Sequence, residues 1–349
     1  MTMKPTLLDM PKLLMNKILE DLNFREIEPL WKVCRHLRNF IDDQKPDSRL
    51  RVVTVGGHSS GNYRIHYDVN FHTMPNTHID VFYQKHKKGC LLKCEGKEKF
   101  LENENFLLRS LKDLEVILKN QKTSLGLLRF DRNNRNWEDR STRIWEIFRK
   151  KLDFSLILDT VETNILKSRD VRLKTKGLMI ESNNHEEILK ILPYLDPNFL
   201  TSLNIFNCLK TGNHLKMEQL LELEHFKNLE RLTISDSFVP NSSIPRFAHI
   251  PHCDIEVESL SSNEMMALKE ILLHTPTFED FTIKFHKFPD IHEFCQAIGI
   301  VDLDVTDHRR MFMGSTNFRI PNSEYIIGVN LTYMDAKQIC FRRFHRPTI

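Results

Sequence analysis

One hydrophobic signature restricts this chain more than any other feature. It is set by Leu125-x-x-Leu128-x-Phe130-x-x-Asn133 and returns at Leu200-x-x-Leu203-x-Ile205-x-x-Cys208. Shorter copies follow at Leu229-x-x-Leu232-x-Ile234, Ile255-x-Val257-x-x-Leu260 and Phe278-x-x-Phe281-x-Ile283, and Leu178-x-Ile180-x-x-Asn183 completes the set. Measured on the central apolar residue, the steps from 178 to 203, 232, 255 and 281 are 25, 29, 23 and 26 residues. Alternation within each copy predicts a short strand. The near-constant step leaves room for one return segment per strand.

A period of this length is that of leucine-rich repeats, in which each unit is a strand plus a return and neighbours stack. An ordinary doubly wound α/β domain shares the alternation but need not keep the step. Side chains alternate along a strand, so Leu178, Ile180, Leu203, Ile205, Leu232, Ile234, Ile255, Val257, Phe281 and Ile283 share a core face. Met179, Glu181, Asn204, Phe206, Thr233, Ser235, Glu256, Glu258, Thr282 and Lys284 point the other way, onto the concave face of a solenoid. An aromatic among polar groups suits a polypeptide partner. Met179, Asn204, Phe206, Thr233, Glu256, Glu258 and Lys284 are therefore the candidate substrate-binding residues, and the acidic pair would favour a basic segment.

Helices are expected in the returns: one over Ile188, Leu189, Ile191, Leu192 and Leu195, one from Leu215 to Phe226, and one around Met265–Leu273 opened by a Ser261/Glu264 capping box. Pro240, Pro245 and Pro251 make the return between 235 and 254 an irregular loop. Residues 137–168 read as mostly helical. Upstream, Arg51–Val55, Tyr63–Val69, Ile79–Gln84 and Cys90–Cys94, with turns at Gly56-Gly57, Pro75-Asn76 and Lys88-Gly89, predict a small antiparallel sheet. An amphipathic helix follows over about 103–120. The tail from Gly299 alternates weakly at Tyr325–Leu331 and Ile339–Phe341, as a terminal cap would.

Leu7–Asp43 has a different texture. Asp9 precedes an apolar turn and Pro11 suits the first helical position. Met15, Ile18, Leu19 and Leu22 fall on one helical face. Asn23 and Glu26 are spaced as a capping box, and Ile27, Leu30, Cys34, Leu37 and Ile41 carry an apolar seam through two more helices. So short a unit has little interior, and its seam needs a partner surface or the rest of the chain. Residues 44–49 read as a polar hinge behind it.

Leu8-Asp9-Met10-Pro11, Ile18-Leu19-x-x-Leu22 and Leu30-x-x-Val33-Cys34-Arg35-x-Leu37-Arg38 resemble the F-box, the helical motif that docks on the Skp adaptor of cullin–RING ubiquitin ligases. Two residues depart from that pattern. Pro29 falls inside the second helix, at a cost of ~3 kcal/mol in a helix interior, and Trp31 stands where a polar or basic residue is common. Leu223–Phe288, together with Ile191–Pro197, is similar to the FTH domain that follows F-boxes in a large nematode family. The resemblance implies a non-catalytic substrate receptor that binds the Skp adaptor, and through it a cullin, by Leu8, Pro11, Ile18, Leu19, Leu22, Leu30, Val33 and Leu37. The expected fold is α/β: an F-box at 1–45, an antiparallel sheet and helices at 46–150, an FTH or leucine-rich-repeat-like β/α solenoid at 151–298, and a cap at 299–349. Two other readings share these features. One is a stand-alone interaction protein whose head caps the repeats, and the other is an RNA-binding repeat protein.

Composition narrows the partners. A net charge of +3 over 349 residues does not call for nucleic acid. No apolar run approaches the roughly 18 residues of a membrane span, and Asp9, Lys12 and Lys17 argue against a signal peptide. Seven scattered cysteines fit free thiols in the cytoplasm or nucleus. Basic clusters at Lys85–Lys88, Arg129–Arg143 and Arg342-Arg343 with Arg346 read as solvated faces. No catalytic motif is present, and no cofactor is expected. His86, Cys90 and Cys94 come nearest to a metal site but leave the fourth ligand unnamed.

Overall fold

The computed structural model describes residues 10–22, 24–58, 64–71, 80–94, 96–131, 154–182, 184–207, 213–300, 312–333 and 337–345. They fall into two compact mixed α/β units, residues 1–177 with 190–199, and residues 178–189 with 200–349.

The first unit begins with α1 (Lys12–Asp21), α2 (Phe24–Val33) and α3 (Arg35–Gln44). Pro11 is the cap of α1, not its first helical residue; its carbonyl accepts the Leu14 and Met15 amides at 2.9 and 3.1 Å. Asp9 and Asn23 lie outside the described residues. Helix α2 runs through Pro29, which is exposed. Cys34 is not a seam residue: its Sγ accepts the Leu37 amide at 3.5 Å and caps α3.

β1 (Leu50–His58), β2 (Arg64–Phe71), β3 (Asp80–His86), β4 (Gly89–Cys94) and β5 (Lys97–Glu102) form an antiparallel meander, and β6 (Leu125–Asp131) pairs parallel with β1 after α4 (Phe106–Lys119). Gly56-Gly57 lies within β1 and makes no turn, whereas Lys88-Gly89 does stand at a turn between β3 and β4. Pro75-Asn76 is outside the described residues. Asn105 caps α4 by accepting the Leu107 and Leu108 amides. The buried Tyr83 of β3 ties the sheet to that helix through Asp113, Oη to Oδ2 2.7 Å. The helix α5 (Phe154–Thr160) continues as a π-turn over Val161–Leu166.

The segment 44–49, expected as a polar hinge, is tied down: Gln44 ends α3, and the residues after it are held by hydrogen bonds. The Asp47 carboxylate accepts the backbone amides of Arg49, Lys122 and Thr123 at 3.1, 2.9 and 2.9 Å. Ser48 is buried and donates to the Ile117 carbonyl at 2.7 Å, while its amide donates to Asn120 at 3.2 Å. Gln121 is also buried; it accepts the Leu50 amide and donates to the Leu50 and Thr123 carbonyls. Arg169 completes the knot by donating to the carbonyls of Leu118 and Gln121 at the end of α4, where burial lowers the guanidinium's pKa.

In the second unit β8 (Ser202–Phe206), β9 (Arg231–Ser235), β10 (His252–Ser259) and β11 (Asp280–Lys287) run parallel in chain order, with β7 (Thr175–Glu181) beside β8. All ten core-face residues expected from the repeat are buried. Their returns are shorter than expected. α6 (His185–Leu189) stops before Pro193, and α7 (Glu218–Leu221) gives way to a 3-10 turn at Glu224–Lys227. The proline-rich return holds a 3-10 helix at Asn241–Phe247 where a loop was expected. α8 (Ser262–Leu273) carries the Ser261/Glu264 capping box, and α9 (Ile291–Ala297) follows β11. The tail is more than a cap. β12 (Phe312–Arg319), β13 (Tyr325–Tyr333) and β14 (Gln338–His345) are antiparallel strands, and β14 pairs with β11. The order is thus β7-β8-β9-β10-β11-β14-β13-β12. This is a mixed sheet, not a solenoid of one unit from end to end.

Candidate functional site

Two surfaces carry the residues singled out by sequence, one in each unit. The first is the helical head. Leu19, Ile27 and Ile41 form a small core against which Leu22, Leu30, Trp31 and Phe40 pack. Trp31 clamps α2 to α3: its Nε1 donates to Asp42 Oδ1 at 2.9 Å, its carbonyl accepts Arg38 Nε at 3.3 Å, and the Arg38 guanidinium sits 4.3 Å from its ring centre. The residue that departs from the common pattern is thus a contact between α2 and α3.

The adaptor-docking candidates separate by burial. Leu19 and Leu37 are buried; Ile18, Leu22 and Leu30 are half-buried; Pro11 and Val33 are exposed; Leu8 lies outside the described residues. Val33 keeps 67% of its surface. Leu13, Leu14 and Met10, at 80%, 49% and 43%, are also exposed and did not figure among the candidates. Leu13 sits off the helical stripe that selected Ile18, Leu19 and Leu22, Leu14 lies at its edge one turn before Ile18, and Met10 precedes the helix. The available signal was the excess of apolar residues on a face that should be polar.

The second surface is the face of the second unit's sheet opposite its core. Met179, Asn204, Phe206, Thr233, Glu256, Glu258 and Lys284 are all half-buried there, while Glu181 is buried. Cross-strand register brings Asn204, Thr233, Asp254 and Thr282 into one row, Phe206 beside Ser235, and Glu256 beside Lys284. The charges answer one another. Lys284 Nζ is 2.9 Å from Asp254, His286 Nε2 is 2.9 Å from Glu256, and Glu258 lies 3.0 Å from Lys287 and 3.3 Å from His214. The other oxygen of Glu256 accepts the Asp236 amide at 2.7 Å. The hydrogen bond from Lys287 holds the Glu258 carboxyl below its ordinary pKa. Each member of the acidic pair therefore already has a partner inside the unit.

The remaining candidates have local roles. His86 meets Phe100 edge-on at 5.1 Å, Cys90 is buried, and burial raises its thiol pKa. Among the described residues no three His, Cys, Asp or Glu side chains are grouped to hold a metal. Lys85, Lys87 and Lys88 are exposed, and Arg129 pairs with Asp131 at 2.6 Å; the rest of that cluster, like Arg346, lies outside the described residues. β14 divides the neighbouring arginines. Arg343 turns to the core side, donating to the Thr275 and Pro276 carbonyls and covering Tyr325 at 4.6 Å, whereas Arg342 faces the open side. No helix among the described residues is long and apolar enough to cross a membrane.

Comparison with known proteins gives two matches. Residues 7–49 match the F-box domain model and residues 157–296 the FTH domain model. No curated protein and no solved structure matches the chain.

Proposed function

Because the chain belongs to the nematode F-box/FTH family, we propose that it is a non-catalytic substrate-recognition subunit of an SCF-type ubiquitin ligase. The head holds the Skp adaptor, and the adaptor links it to a cullin. The open sheet face of the second unit holds a protein substrate. The parallel run β8–β11, with β7 beside it, serves as a short leucine-rich-repeat-like platform, with Met179 of β7 and Asn204, Phe206, Thr233, Glu256, Glu258 and Lys284 of the run on its binding side. Catalysis comes from the partner enzymes. Bringing a substrate lysine beside a ubiquitin-charged enzyme raises its effective concentration.

One observation carries this reading. The head closes its own core with Leu19, Ile27 and Ile41, yet leaves Leu13, Leu14 and Val33 in solvent. Solvated apolar side chains on so small a unit suit docking on a second protein. Pro11, Ile18 and Val33, with Met10, Leu13 and Leu14, are the contact residues in this reading, and Leu8 extends them. Leu22, Leu30, Leu19 and Leu37 support them from within. Co-purification of the full chain with the Skp adaptor tests the reading: wild type captures it and Val33→Asp with Leu13→Asp does not. Equal capture by the variant would favour a stand-alone interaction protein instead.

A further inference from the structure

The free end of the second unit's sheet differs from the rest of its open face. Cross-strand register sets Arg342, Gly328 and Asn317 in one row, and Phe344, Ile326 and Arg319 in the next. A Cβ on Gly328 would lie 2.7 Å from the Phe344 ring and 3.2 Å from Asn317 Oδ1, so the glycine makes the hollow into which that ring folds. Phe344 still keeps 37% of its surface. Arg319 and Arg342 are exposed and make no ion pair among the described residues, whereas Lys284, His286 and Lys287 on the same sheet are all paired. Two strand spacings across and two residues along put their Cα atoms about 12 Å apart, close enough for two guanidinium groups to serve one short segment.

Among the described residues, no strand pairs with the outer edge of this end of the sheet. β12 stands last in the strand order, pairs with β13 without a register shift, and carries neither charge nor proline from Phe312 to Phe318. β5, at the end of the first unit's order, is guarded by Lys97, Glu98, Lys99 and Glu102. Sheet edges are normally blunted in that second way, because bare N–H and C=O groups invite another strand. We propose that the β12 edge, with Arg319 and Arg342, binds an extended acidic peptide segment that adds as a strand and sets its carboxylates on the two arginines. Backbone pairing supplies affinity, alternate side chains meet Phe344 and Ile326, and the arginines select the charge. Two cations at one corner are too few to track a nucleic-acid backbone. The segment would belong to the substrate, so the inference rests on the receptor reading above.

Fluorescence anisotropy of the full chain with a fluorescein-labelled peptide the length of β12, alternating valine and glutamate, tests this. The peptide should bind, weaken with salt, and lose about tenfold in affinity in each of Arg319→Gln and Arg342→Gln, roughly one charge-assisted hydrogen bond apiece. The same peptide N-methylated along its pairing edge should not bind. Equal binding of a valine–lysine peptide or of the N-methylated one, insensitivity to both arginine variants, or displacement by oligouridylate would each overturn the proposal. Skp-adaptor capture by the two variants should match wild type, so failure here with capture intact removes the corner and leaves the receptor reading standing.

Discussion

Replacing Asp47 should loosen the join between the helical head and the strands that follow it. The carboxylate accepts three backbone amides, Lys122 and Thr123 at 2.9 Å and Arg49 at 3.1 Å. A hydrogen bond to an ionised acceptor is worth about 1.5–3 kcal/mol net when shielded. Lys122 and Thr123 are exposed, so water replaces part of each bond, and about 2 kcal/mol in total is the expected loss for Asp47→Ala. Asp47→Asn should lose about half of that, since its amide group would face a backbone donor in one of the two pairings. Native-state hydrogen exchange reads the effect at the donors themselves. Protection at Lys122 and Thr123 should fall about thirtyfold in Asp47→Ala, with a smaller fall in Asp47→Asn. Protection at Leu232 and Ile255, in the second unit, should not change. Less than a threefold fall at Lys122 and Thr123 would mean that residues 44–49 are a hinge after all.

Other substitutions test other parts of the argument. Val33→Asp or Leu13→Asp should abolish Skp-adaptor capture while changing stability by less than about 0.5 kcal/mol, because both side chains are in solvent; a large fall in melting temperature would show that they are structural. Trp31→Phe keeps the ring under Arg38 but loses the bond to Asp42, and should cost about 1 kcal/mol in chemical denaturation, against about 3 for Trp31→Ala. Cys253 and Cys295 are buried, and burial pushes the Cys295 thiol up to about 11, so both should resist iodoacetamide at neutral pH until the chain unfolds, after Cys34, Cys94 and Cys340 have reacted. The depressed Glu258 carboxyl contributes stability above its unfolded pKa and loses it as pH falls through the folded value. Lys287→Met should move its NMR titration midpoint upward, and an unchanged midpoint would rule out Lys287 as the cause.

Much of the second unit was legible because burial enforces alternation. Leu203, Leu232 and Phe281 lie in one layer of the core with Cys253, and Ile205, Ile234, Ile255 and Ile283 belong to the core face beside it, where any polar replacement would be penalised. The helical head was legible for the same reason through Leu19, Ile27 and Ile41. β5 escaped notice because an exposed edge strand needs no apolar alternation, and its charged residues mimic a loop. The returns were overextended because apolar residues at helical spacing also line short 3-10 turns that a proline has already ended.

The amino-acid order by itself determined which residues are core, how many residues separate the repeat strands, and the two segments that carry the family resemblance. These are local patterns, and one chain stretch suffices to set them. Only the tertiary structure decided that Asp47 and Ser48 bolt the head to the end of α4, that Glu256 and Glu258 already have partners in His286 and Lys287, and that Arg319 and Phe344 fall in one row across β13. Each of those depends on which strand lies beside which and in what register. Long-range pairing settles that, so a neighbour in sequence is no guide to a neighbour in space.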